Sequence, residues 1–139
     1  YGILKPLDGI VPYRLEMQSK FINYKNKDLY EYWADKIANS LFEETNLIIN
    51  LASKEYSKCV EKYLKNSPGT KFITCVFGEI NGDKVIEKGT LAKMARGEMV
   101  RYLAQNNVYD LEGLKRFDKL GYKYSQEKSN ENTYVFIKY

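Results

Sequence analysis

The sequence predicts a mixed α/β (α+β) fold, a single domain in which a mixed sheet carries flanking helices and two hairpins. Three observations predict it. Apolar residues recur at helical spacing over 29–44 and again over 91–106, each marking one buried stripe. Short apolar runs at 47–51, 71–79 and 133–139 suit buried strands. Asn81-Gly82 stands between two strand-like runs, the strongest short-range hairpin signal in the chain. Strands and helices do not alternate cleanly, so a doubly wound parallel sheet is not expected. The chain has 139 residues, and one of that size buries roughly two-thirds of its unfolded surface.

The elements follow in order. Residues 1–12 read as a connection, because Pro6 and Pro12 bracket Asp8-Gly9. Tyr13–Phe21 alternates apolar and polar side chains and predicts a strand with Arg14 and Glu16 on one side. Asp28 with Glu31 three residues on forms a capping-box pattern opening a helix over 29–44, whose stripe is Leu29, Trp33, Ile37 and Leu41. After the strand at 47–51, Ser53 is placed to cap a helix over 54–65 that Pro68-Gly69 closes off. The hairpin of 71–79 and 84–88 leads into the helix at 91–106. Asp110 caps a short helix over 111–117, and 122–127 with 133–139 make the last hairpin.

Composition narrows the chemistry. The net charge of +4 permits a polyanionic partner without requiring one. With no histidine, Ser-His-Asp and Cys-His machinery and imidazole ligation are excluded from this chain. Cys59 and Cys75 lack CxxC spacing and companions, so they read as buried small hydrophobes in a reducing compartment, and neither a metal nor any cofactor is expected. No apolar run reaches the ~18 residues of a membrane span, and no signal peptide is visible. The chain opens on Tyr1 rather than methionine, which suggests a trimmed N-terminus.

Polar residues gather in five clusters. The most informative is Lys93-Met94-Ala95-Arg96-Gly97-Glu98-Met99-Val100-Arg101. At helical spacing Lys93, Gly97 and Arg101 share a stripe with Arg96 beside it, while Ala92, Ala95, Met99, Tyr102 and Leu103 face the core. A helix-interior glycine costs ~1 kcal/mol against alanine, so its presence asks for a reason. A groove in which an anion approaches the backbone between charged donors supplies one. The alternative is a solvated surface face. Asn50 and Ser53, between a strand and a helix N-terminus, offer a second anion position, or else simply pin the turn. Arg14 and Lys5 are further cations. Glu16, Asp8 and Asp35 are the candidate acids or bases should the protein be an enzyme; no catalytic set is otherwise indicated.

In order along the chain, Tyr1–Asp8, Pro12–Met17, Trp33–Asp35, Asn50–Tyr56 and Lys93–Arg101 resemble the motifs YG-[IV]-L-[KR]-P-L-D, P-Y-R-L-E-M, W-x-D, N-L-A-S-x-E-Y and K-x-A-R-G-x-M-x-R of the YaaA family, also described as a domain of unknown function (DUF328, UPF0246). The resemblance spans almost the whole chain and implies that residues 1–139 are the C-terminal portion of a longer protein with its own mixed α/β fold. It implies a bacterial cytoplasmic protein of the peroxide stress response that limits damage from intracellular iron and binds DNA through a basic cleft. On that reading its partners are DNA and the missing N-terminal part, with no membrane. A helix-hairpin-helix proposed for the family is not found here, because Phe72–Phe77 reads as a strand. The alternative is an enzyme acting on a phosphate-bearing or nucleobase-like small molecule, in whose pocket Lys93 and Arg96 hold the anion and Asn50 and Ser53 orient it.

Overall fold

The computed structural model describes residues 2–12, 16–20, 25 and 27–139. They form a mixed α/β fold with a mixed five-stranded sheet and flanking helices. Its contacts fall into two compact units, Tyr1–Ile48 with Ala52–Lys71 and Ile49–Leu51 with Phe72–Tyr139.

In the first unit the chain runs through α1 (Leu29–Trp33), α2 (Lys36–Glu44), the start of β1 (Leu47–Asn50) and α3 (Lys54–Glu61). The capping box forms as expected. Asp28 Oδ1 accepts the Glu31 N–H at 3.0 Å, and the Glu31 carboxylate reaches back to the Lys27 N–H. Glu55 on α3 anchors the preceding segment, because its Oε1 accepts the Met17 N–H at 3.0 Å and its carbonyl accepts the Tyr30 hydroxyl at 2.7 Å.

Two expectations are corrected in this unit. Glu16–Lys20 form a turn closed by Ser19 N–H on the Glu16 carbonyl, rather than strand. The rest of that proposed strand, Arg14 included, lies outside the described residues. The helix over 29–44 is two helices, because Ala34 takes φ 47° and ψ −124° and ends α1 with its N–H on the Tyr30 carbonyl. No glycine or proline marks the break, and the apolar stripe continues across it, so periodicity alone joins the two. Positive φ strains an alanine. Ala34→Gly is therefore expected to raise stability by about 0.5–1 kcal/mol, where a continuous helix would lose about as much. Urea unfolding distinguishes the two signs.

The second unit is built on β2 (Lys71–Asn81), β3 (Lys84–Ile86), α4 (Gly89–Gln105), α5 (Leu111–Lys115), β4 (Tyr122–Tyr124) and β5 (Thr133–Lys138), with Ile49–Asn50 ending β1. The sheet order is β1-β2-β5-β4, and β3 pairs with β2 off that path. β2 and β5 run parallel from Thr74↔Thr133 to Glu79↔Lys138, whereas β4–β5 and β2–β3 are antiparallel. Near-continuous burial along the middle of β2 and along β5 explains their unbroken apolar runs.

The first hairpin forms one residue out of the expected position. Asn81 pairs with Lys84, so Gly82-Asp83 is the two-residue loop, with Gly82 at φ 60° where glycine is favoured. Phe77 stacks on Phe136 at 5.1 Å and meets Phe117 and Tyr122 edge-on, which makes an aromatic centre for this unit's core. Ala92, Ala95 and Met99 of α4 are buried, and the Tyr102 hydroxyl donates to the Gly113 carbonyl at 3.0 Å. Asp110 caps α5 through the Gly113 N–H.

Candidate nucleic-acid interface on the basic helix

α4 buries small apolar residues along one side, while its outer side mixes cations with the exposed Met94 and Val100. With Ala92, Ala95 and Met99 inward, Lys93, Gly97 and Arg101 are left exposed. A Cβ built on Gly97 meets no atom within 4 Å. Packing therefore does not require the glycine. What it does is notch the side-chain surface one turn from Lys93 and one turn from Arg101, each about 6 Å along the helix axis.

The cations differ in how they are held. Lys93 has no carboxylate partner among the described residues. Arg101 reaches Glu98 only at 3.8 Å and is 65% exposed, a geometry that contributes little. Arg96 is different. Its side chain is mostly buried, and Nη2 donates at 3.0 Å to Glu87 Oε1, the same oxygen that accepts the Phe77 N–H at 3.3 Å. Its Nε–H is buried without a partner. Glu87 lies just before α4 and nine residues from Arg96, a spacing that no helical or strand pattern flags, so the sequence reading missed it.

Asn50 is buried in the same unit as α4, and its Nδ2 donates to Thr74 Oγ1 at 3.2 Å, tying the end of β1 to β2. The other candidates belong to the first unit. Ser53 has the backbone of a helix cap, and its carbonyl accepts the Tyr56 and Ser57 N–H groups, yet its side chain makes no capping bond. Lys5 and Asp8 close one exposed turn, with the Lys5 N–H on Asp8 Oδ2 at 2.7 Å. Asp35 Oδ2 accepts from Asn39 Nδ2 at 3.0 Å, and Glu16 is exposed in its turn. An open hollow of about 390 Å³ where β2 and β5 end is lined by Glu79, Ile80, Ile137, Lys138 and Tyr139, none of them a predicted site residue.

Both cysteines are free and buried. Burial pushes the Cys59 thiol up from its ordinary value, and the Cys75 thiol up to about 12. The thiolate is the reactive form, so burial holds both in the inert one. Among the described residues no three His, Cys, Asp or Glu side chains gather to hold a metal ion, and no helix is long and apolar enough to cross a membrane.

Fold and helix together define an α/β protein that presents unpaired or loosely paired cations to solvent around a glycine notch. A family model described as peroxide stress protein YaaA matches residues 1–128. The UPF0246 protein of Lachnoclostridium phytofermentans is 56% identical over 138 residues, covering 99% of this chain and 53% of the relative. That of Desulfitobacterium hafniense is 53% identical, with 99% and 54% covered, and that of Clostridioides difficile is 45% identical, with 99% and 55% covered. The chain belongs to the YaaA peroxide stress protein family, the UPF0246 proteins. It spans about half the length of the curated relatives it matches.

Proposed function

We propose that this chain binds DNA through the phosphate backbone, without base preference, along the exposed face of α4. On this reading it acts in the cytoplasm of a bacterium under peroxide stress and limits damage from intracellular iron. The observation that carries the reading is the open notch at Gly97 between exposed Lys93 and Arg101. A helix that accepts the glycine penalty while nothing packs on the glycine keeps room for a group approaching from solvent. The flanking cations make that group an anion. Protein cations that neutralise phosphates release the counterions held there. Iron ions are among the cations such phosphates attract, which links the binding to protection under peroxide. Ile3, Leu4, Leu7, Ile10 and Val11 are exposed aliphatic side chains, and they suit contact with the further chain that the longer relatives possess. The small-molecule enzyme reading has no comparable observation, since Asp8 and Asp35 accept hydrogen bonds from their own neighbours.

The test is fluorescence anisotropy of a labelled duplex against salt. Two to three phosphate contacts predict a log–log slope of about −2 to −3. Lys93→Ala with Arg101→Ala should flatten it by about 1.8 and weaken binding equally on duplexes of different sequence. Salt-independent affinity, or an unchanged slope in the double variant, overturns the reading.

A further inference from the structure

We infer that Glu87 is a built-in competitor for phosphate at Arg96, so that the chain carries its own brake on anion binding. The inference rests on the proposed phosphate contact along α4 and adds a specificity-determining residue to it. Arg96 stands beside the Lys93–Gly97–Arg101 stripe, mostly buried, and a carboxylate already engages it at 3.0 Å. That engagement is incomplete. A guanidinium edge that meets a carboxylate well gives two parallel N–H···O bonds, one to each oxygen. Here a single oxygen, Glu87 Oε1, is shared between Arg96 Nη2 and the Phe77 N–H, and Arg96 Nε–H is left without an acceptor. A buried donor without an acceptor is costly. Because Nε itself is buried, a phosphate arriving from solvent competes with Glu87 for the terminal guanidinium nitrogens.

Glu87 is also placed to leave. Its side chain is 36% exposed against 19% for Arg96, and it sits between the end of β3 and the start of α4 rather than within either. In the unbound protein the carboxylate keeps Arg96 oriented and its charge neutralised. A phosphate on the stripe takes over the guanidinium, and the carboxylate turns to solvent. Weak or uncharged ligands fail to displace it, so Glu87 raises the threshold of negative charge needed to occupy the helix.

The experiment is a double-mutant cycle read by duplex anisotropy and, in parallel, by competition with inorganic phosphate. Glu87→Gln keeps an amide oxygen for the Phe77 and Arg96 donors and removes only the charge. It should tighten duplex binding by roughly two- to five-fold, the upper part of the range set by one partly exposed charge pair. Removing any negative charge near a basic helix strengthens DNA binding somewhat, so the deciding quantity is coupling. In an Arg96→Ala background the same substitution should gain less than about two-fold. Equal gains in both backgrounds, or weaker binding by Glu87→Gln with unchanged thermal stability, overturn the brake and leave the phosphate contact of α4 standing. No binding by either protein overturns both. A Glu87→Gln chain that melts markedly lower makes Glu87 a structural anchor and overturns the brake as well.

Discussion

Replacing Phe77 by alanine is expected to remove about 3–5 kcal/mol of stability and to lower the melting temperature by roughly 10–15 °C. Phe77 is completely buried in the middle of β2. Its ring lies nearly parallel to Phe136 at 5.1 Å and receives Phe117 and Tyr122 edge-on at 5.9 and 5.6 Å. Truncation loses the transfer free energy of the ring and leaves a cavity that three aromatic neighbours, themselves pinned to β5, β4 and the segment after α5, fill poorly. The same position bears on α4, because the Phe77 N–H helps hold Glu87 Oε1. Urea unfolding of the variant beside Tyr109→Ala, whose side chain is 84% exposed, is the direct measurement. The control should stay within about 0.5 kcal/mol of the parent. A loss below about 1 kcal/mol for Phe77→Ala means the core relaxes around the gap, contrary to the packing described.

The second large effect is alkaline destabilisation through Cys75. The folded chain holds this thiol at about 12, against an ordinary 9.0, through burial alone. Below pH 9 both folded and unfolded chains keep the proton, and the group contributes no pH dependence. Between pH 9 and 12 the unfolded chain loses the proton while the folded chain retains it, so stability falls as pH rises. The slope approaches about 1.4 kcal/mol per pH unit, and about 2 kcal/mol is gone by pH 10.5. Burial raises the Tyr122 hydroxyl in the same direction, so the difference between parent and Cys75→Ala isolates the thiol. The variant starts lower, because a buried side chain has been shortened. Its stability should nonetheless decline less steeply between pH 8 and 10.5. Parallel slopes would contradict a proton held by burial at this site. At neutral pH the same burial leaves only about one molecule in 10⁵ as thiolate. Burial thus keeps Cys75 in the form that oxidants attack slowly.

Local signals in the sequence were reliable where the physics is local. Asp28 and Asp110 cap helices because a side chain and an N–H three residues on are brought together by one turn of backbone. Gly82 marks the hairpin because few other residues tolerate its φ, although the loop sits one residue further along than Asn81-Gly82 suggested. The inward and outward faces of α4 follow from side-chain spacing on a helix, so Lys93, Gly97 and Arg101 were placed correctly on an exposed stripe. Ala34 shows the opposite case. Its positive φ has no glycine or proline to announce it, and an apolar stripe that continues past it hides two helices inside one pattern.

By itself, then, the amino-acid order determined the class of fold, the helix bearing the cations, the burial of both cysteines and, through five motifs in register, the family. Each depends on residues close in the chain or on patterns that repeat along it. Tertiary structure alone decided that β2 and β5 lie parallel although their paired residues stand far apart in sequence. It alone set Glu87 against Arg96, and it alone showed that nothing packs over Gly97. Those facts are distances between groups that the backbone brings together only once the sheet has formed. No spacing rule encodes such a distance, because the loop that closes it has no fixed period.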